Sequence, residues 1–104
     1  MYARRVSLQL KPNSAAEFGR QLEKQIIPML RKQKGFQDEI TFSNPGGMDL
    51  VSISLWDNKE SADAYSRGPY AEVTKIMETL VVGTPRVDTY EVSNSTFHKI
   101  GAAA

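Results

Sequence analysis

The tetrad Asn44-Pro45-Gly46-Gly47 constrains this chain more than any other feature, because it stands between two runs that read as strands. Proline presets a turn dihedral, and glycine takes the left-handed conformations that tight reversals need. Phe36–Ser43 before the tetrad and Met48–Trp56 after it hold β-branched and aromatic residues, so the three pieces predict an antiparallel hairpin. A lone hairpin is marginal in water and needs further strands or a helix against its apolar side. The rest of the chain has to supply that cover.

Tyr2–Leu10 alternates, with Val6, Leu8 and Leu10 on one face and Arg5, Ser7 and Gln9 on the other, which is a half-buried strand. Pro12-Asn13-Ser14 then marks a helix start, with Ser14 and Glu17 at capping-box spacing. Phe18, Leu22, Ile26, Met29 and Leu30 form one stripe. Pro28 inside that stripe predicts a kink, since it lacks the N–H of the helical ladder and costs about 3 kcal/mol in a helix interior. Gly35 is the expected stop.

After the hairpin, Asp57 or Asn58 caps a second helix, with Asp57 and Glu60 again at capping-type spacing. Gly68-Pro69 interrupts this helix, and Tyr70, Val73, Met77 and Leu80 resume an apolar stripe. Gly83-Thr84-Pro85 is expected to end it, leaving Arg86–Ser93 as the last strand. The order βαββαβ predicts an α+β, ferredoxin-like domain: a four-stranded antiparallel sheet with helices on one face. Residues 1–93 are read as a single domain. Residues 94–104 lose periodicity and end in Gly101-Ala102-Ala103-Ala104, a C-terminal tail expected to fray or to wrap a partner.

Helices cover only one face of such a sheet. Val51, Ile53 and Leu55 match Val6, Leu8 and Leu10 as the expected helix-facing set. The opposite parity then places Leu50, Ser52, Ser54 and Trp56 on the second face, with Ser7, Gln9, Thr41 and Thr89 as neighbours. That face is small and semi-polar rather than highly charged, as a sheet packed on another sheet can be. It predicts a homodimer through the sheet face, against the alternative of a solvated face.

Composition narrows the chemistry. Among 104 residues there is no Cys, which excludes disulfides, thiolate nucleophiles and Cys-based metal centres. Thirteen Lys and Arg against twelve Asp and Glu leave a net charge of +1, without the clustered basic excess that holds nucleic acid or an anionic membrane. No apolar run approaches a membrane span and no signal-type h-region follows Arg5, so the expectation is a soluble cytoplasmic protein. The central strands offer only the terminal Tyr2 and Trp56 as aromatics, too few for an RNA-recognition sheet. Gly46-Gly47 feeds a strand and not a helix N-terminus, so it is a turn and not a phosphate cradle. His98 is the sole histidine, and neither Asp38/Glu39 nor Asp57/Glu60 has an evident ligand partner, so no metal site is expected. There is no Gly-x-Ser-x-Gly elbow for a Ser-His-Asp hydrolase. Arg31-Lys32-Gln33-Lys34 sits where cations complement a helix C-terminus.

What remains is an aromatic concentration: Trp56, Tyr65 and Tyr70, with Phe18 from the first helix. Such side chains join apolar area to a polar handle and suit a planar organic ligand, although ordinary core packing uses the same residues.

Gln25-Ile26-Ile27-Pro28-Met29-Leu30 followed by Lys34-Gly35-Phe36, then Ile53-Ser54-Leu55-Trp56-Asp57-Asn58-Lys59-Glu60-Ser61-Ala62, and the Gly68-Pro69-Tyr70 break resemble the antibiotic biosynthesis monooxygenase family over most of 1–93. The resemblance implies a ferredoxin-like protomer that pairs sheet to sheet into a dimeric α+β barrel. Some members oxidise hydroquinones or anthrones with O₂ and without metal, flavin or haem, so no cofactor is expected. Trp56 matches the family tryptophan. Ser52 stands where an anthrone-oxidising type has Asn. Ala62 and Ile76 fall where that type has Tyr and Arg, leaving Tyr65, Tyr70 or Arg67 to substitute in space. Haem-degrading relatives need a histidine on the last helix, and 70–82 has none. The implied site is Trp56 as pocket wall, Tyr65 or Tyr70 as donor, Ser52 as anion contact and Phe18 beside them. Asp57 or Asp63 would serve as base only with a raised pKa. Parity sets Trp56 on the barrel side unless the strand end twists or bulges toward the helices. Two functions follow: a cofactor-independent monooxygenase acting on a small aromatic, quinol-type substrate, or a non-catalytic dimeric ligand-binding or stress-response module.

Overall fold

β1 (Tyr2–Leu10), β2 (Phe36–Ser43), β3 (Asp49–Trp56) and β4 (Val81–Glu91) form one antiparallel sheet in the order β2-β3-β1-β4. The structure is a computed structural model, and its described residues are 1–101. Between β1 and β2 run α1 (Ala15–Gln21), a π-helical turn (Leu22–Ile26) and α2 (Ile27–Arg31); between β3 and β4 run α3 (Lys59–Arg67) and α4 (Tyr70–Met77). This is the ferredoxin-like α+β arrangement. One apolar cluster joins Val6, Leu8 and Leu10 of β1 to Phe18, Ile26, Leu30, Ala62, Tyr65, Val73 and Met77 of the helices. Among the described residues no helix is long and apolar enough to cross a membrane.

Pro28 is accommodated by a change of helix type and not by a simple kink. Ile27 N–H reaches back five residues to Leu22 O, and Pro28 then falls in the first turn of α2, where a missing N–H costs least. The capping box expected at Ser14 does not form. Ser14 has helical dihedrals and no side-chain cap bond, while Glu17 binds Arg20 and Gln21 along its own helix. At α3 the cap is Asn58, whose Oδ1 accepts from Ser61 N–H at 2.9 Å.

The second helical region ends earlier than its apolar stripe suggests. α4 stops at Met77, and Gly83-Thr84-Pro85 lies inside β4. There it forms an irregularity, because the pairing steps from Ser7↔Arg86 to Gln9↔Val82. Gly83 has φ +70° and Pro85 has no N–H to donate, so both suit a break in the ladder.

The register reverses the expected facing of β3. Tyr2↔Trp56, Arg4↔Ser54, Val6↔Ser52 and Leu8↔Leu50 are opposite pairs, and opposite residues share a face. Leu50, Ser52, Ser54 and Trp56 therefore face the helices, and Val51, Ile53 and Leu55 face the open side. A second irregularity between Phe36 and Asp38 sets Glu39 against Ser54 and Thr41 against Ser52, while Ile40 and Phe42 join Ile53 and Val51 on the open face. Ile40 and Phe42 are each about half exposed.

Residues 92–101 are not simply frayed. Val92 N–H bonds Met1 O, and Ser95 and Ile100 exchange two backbone hydrogen bonds. The turn between them brings His98 Nε2 to 2.6 Å from Asp38 Oδ2 on β2, off the line of a hydrogen bond. Asp38 and His98, unpaired in the sequence reading, are in contact. The alanines at 102–104 lie outside the described residues.

Candidate functional site

Two rungs of the sheet set the polar groups of the helix-facing side. Glu39, Ser54 and Arg4 lie abreast on β2, β3 and β1, and Thr41, Ser52 and Val6 form the next rung on the same face. Ser52 Oγ donates to Glu39 Oε1 at 2.9 Å, Thr41 Oγ1 donates to the same oxygen, and the two hydroxyls are 3.0 Å apart. The Glu39 carboxylate is thus held by neutral donors and not by a cation.

An aromatic row crosses from the sheet end to α4. Trp56 is completely buried, meets Phe36 edge-on at 5.6 Å and packs against Tyr65 at 5.0 Å. Tyr65 and Tyr70 follow with ring centroids 5.8 Å apart. Trp56 Nε1 donates to Ser54 Oγ at 2.9 Å, which satisfies the one polar atom of the indole. The parity conflict disappears, since the whole Ser52, Ser54, Trp56 set faces the helices.

Arg4 lies over the two tyrosines. Its Cζ is 4.4 Å from the Tyr70 ring centroid and 5.1 Å from that of Tyr65, within cation–π range. The side chain is only 2% exposed, and Nε and Nη2 are buried without a hydrogen-bond partner among the described residues. Burial pushes the Tyr65 phenol up to about 12, opposed by the nearby Arg4 charge. It raises Tyr70 as well, opposed by the Arg4 charge and by a hydrogen bond between the two side chains. Both phenols are therefore protonated donors at neutral pH.

Between these rungs and the helices lies a narrow cavity of about 40 Å³, partly open to solvent. Arg4, Glu39, Ser52, Ser54, Tyr65 and Tyr70 supply its polar wall, and Phe18, Leu22, Ile26, Val73 and Met77 its apolar one. As it stands it admits water-sized guests, against roughly 300–1,000 Å³ for a typical small-molecule pocket.

Phe18, Ser52, Tyr65 and Tyr70, singled out from sequence, thus line one cavity, and Trp56 stands behind Tyr65 and Ser54 as their support. Asp57 and Asp63 do not line it: Asp63 pairs with Lys59 at 2.7 Å on the outside of α3, and Asp57 N–H bonds Gly35 O at the strand end. Arg67 is exposed and also outside the cavity. Arg4, Glu39, Thr41 and Ser54 come together only in the fold and were not expected as a group. For Arg4 a signal existed, because it shares the parity of Val6, Leu8 and Leu10. A cation within a buried apolar set needs a reason. Among the described residues no three acidic or histidine side chains cluster as metal ligands.

The family model for antibiotic biosynthesis monooxygenases matches residues 1–75. Among solved structures, the chain resembles a monooxygenase from the gene ActVA-Orf6 of Streptomyces coelicolor, solved with the ligand nanaomycin D. The TM-score is 0.77 at 14% identity, covering 90% of this chain and 88% of that one. It also resembles a variant of SnoaB, a cofactor-independent oxygenase from Streptomyces nogalater, with TM-score 0.74, 12% identity and coverage of 91% and 95%. A protein of unknown function from Nitrosomonas europaea gives TM-score 0.76 at 17% identity, covering 91% of each chain. At these identities the likeness shows the fold alone. No curated protein matches the chain. The family match over most of the chain identifies it: the protein belongs to the antibiotic biosynthesis monooxygenase family.

Proposed function

We propose that this protein is a cofactor-independent monooxygenase that oxidises a small aromatic, quinol-type substrate with O₂ in the helix-side cavity. The observation that carries this reading is the convergence of Tyr65, Tyr70, Ser52 and a buried cation on one aromatic-backed cavity. Family membership supports it. For a substrate with an activated CH₂, loss of one proton leaves a carbanion that is stabilised as its oxyanion form. One electron passes to O₂, and the resulting radical and superoxide combine to form a C–O bond. Loss of the second C–H proton then breaks the O–O bond, giving a carbonyl and water. The net change is CH₂ plus O₂ to C=O plus H₂O.

In this reading Tyr65 and Tyr70 donate hydrogen bonds to the developing oxyanion. Trp56 fixes the Tyr65 ring, and Phe18 forms the apolar wall that keeps water from the anion. Ser52 is a link more than an anion contact, since its hydroxyl already donates to Glu39. Glu39, which lines the cavity where Asp57 and Asp63 do not, is the carboxylate that accepts the proton in this reading.

The same reading includes a homodimer. The open sheet face presents Ile40, Phe42, Val51, Ile53, Leu55 and Tyr90, a contiguous apolar set of the kind that marks an interface. Its occupant is a second copy, packed sheet to sheet as in the dimeric barrels that the family resemblance implies.

The narrowness of the cavity favours a second reading, a non-catalytic dimeric binding module. O₂-electrode traces across hydroquinones and anthrones separate the two. Uptake above blank, lowered at least tenfold by Tyr70→Phe or Glu39→Gln, supports the enzyme. Saturable ligand binding with no uptake supports the module.

A further inference from the structure

Arg4 is a buried cation with no carboxylate partner among the described residues. The guanidinium is 2% exposed, and its Nε and Nη2 hydrogens meet no acceptor among the described residues. The carboxylate on its own rung is Glu39, two strands away across Ser54 and already engaged by Ser52 and Thr41. A buried cation without a counter-ion is costly, and the faces of Tyr65 and Tyr70 offset only part of that cost. A fold that needed only volume here would be better served by Met or Leu. Arginine offers what those residues lack: flat, forked N–H donors that match an oxygen anion.

We infer that Arg4 is a receptor for an oxygen anion carried on a planar ring, so that the cavity takes its ligand in ionised form. The ring lies against Tyr70 and the apolar wall, and its anionic oxygen completes the unpaired donors of Arg4. A ring exceeds the present cavity of about 40 Å³, so the oxygen enters first through the open side and the helical cover yields to the rest. Two ligand chemistries share this feature, an aromatic phenolate or enolate and an aromatic carboxylate. The inference rests on the cavity being a ligand site, as proposed above, but not on turnover.

The test uses the full chain, without oxygen consumption as a readout. 4-Nitrophenol changes absorbance on ionising, so its pKa can be titrated free and bound. With Arg4 as receptor, the bound probe ionises about one pH unit or more below the free one, the shift expected of a cation within a few ångströms. Arg4→Gln abolishes the shift, and Arg4→Lys, a point charge without the fork, retains part of it. In a second arm, benzoate binds at least tenfold more tightly than benzamide, and Arg4→Gln removes the preference. A shift in the first arm assigns the phenolate source, and a preference in the second assigns the carboxylate. Both support the receptor. Wild-type protein that shows neither overturns it even where a variant fails to fold, as does an anion preference unchanged in a folded Arg4→Gln. Absence of O₂ uptake with intact anion preference would sink the oxygenase reading alone.

Discussion

The indole Nε1 of Trp56 donates at 2.9 Å to the hydroxyl of Ser54, two residues earlier on the same strand. Both side chains are buried and both face the helices. Ser54→Ala leaves the indole N–H unsatisfied in a dry environment, which costs about 1–3 kcal/mol. Trp56→Phe removes the donor together with part of the largest fully buried side chain, and costs about 2–4 kcal/mol by cavity formation. Urea unfolding of each variant measures these losses. The double variant is expected to lose less than the two single losses combined, because the hydrogen bond is shared.

The Tyr65 phenol, pushed up to about 12 by burial, gives stability a definite alkaline dependence. In the unfolded chain this group ionises near pH 10. Between about 10 and 12 the unfolded state has lost the proton and the folded state still holds it, so unfolding is favoured increasingly as pH rises. The contribution is fully present below pH 10 and is lost through the folded value, with a slope of about 1.4 kcal/mol per pH unit. Tyr70 acts in the same direction. Unfolding free energies at pH 8, 10 and 11 are expected to fall over the upper interval, and Tyr65→Phe to flatten that fall. A flat wild-type profile above pH 10 would contradict the burial argument.

The two helix starts predict unequal capping costs. Asn58 Oδ1 accepts from Ser61 N–H, so Asn58→Ala is expected to cost about 1 kcal/mol. Ser14 makes no side-chain cap bond, and Ser14→Ala should stay within about 0.5 kcal/mol, as surface substitutions usually do. Thermal or urea unfolding of the pair decides the point.

Element order was legible because hydrophobic periodicity and turn residues report local structure, and the break at Gly68-Pro69 stands where it was read, whereas the first helix already ends at Arg31, ahead of the expected stop at Gly35. Facing on β3 was not legible. Val51, Ile53 and Leu55 look like a core set, yet they alternate with a semi-polar set that the helices cover. Alternation separates inside from outside only where one face meets water. Here the helix side carries a polar cavity and the open side is apolar, so the contrast is inverted. The position of Glu39 depends on the irregularity between Phe36 and Asp38, a one-residue slip that composition does not report. Phe18, Tyr65 and Tyr70 could be named as a group because aromatic side chains are conspicuous, and Ser52 joined them only through the family resemblance. Arg4 escaped because one charge at the head of a strand resembles the solvated Arg5 beside it.

Ile40 and Phe42 are 50% and 52% exposed and stand opposite Ile53 and Val51. A stable homodimer typically buries about 800 Å² per partner around a central apolar cluster. Phe42→Asp puts an unpaired charge into that cluster, and two-fold symmetry repeats the cost in both copies. The wild type is expected to elute and scatter light as a dimer, and Phe42→Asp as a monomer with its far-UV spectrum retained. Tyr65 and Arg4 lie on the other side of the sheet, so bound-probe ionisation is expected to survive in the monomer. A wild-type monomer at micromolar concentration would remove the sheet-face dimer, leaving Ile40 and Phe42 as an unpartnered apolar surface on the edge strand.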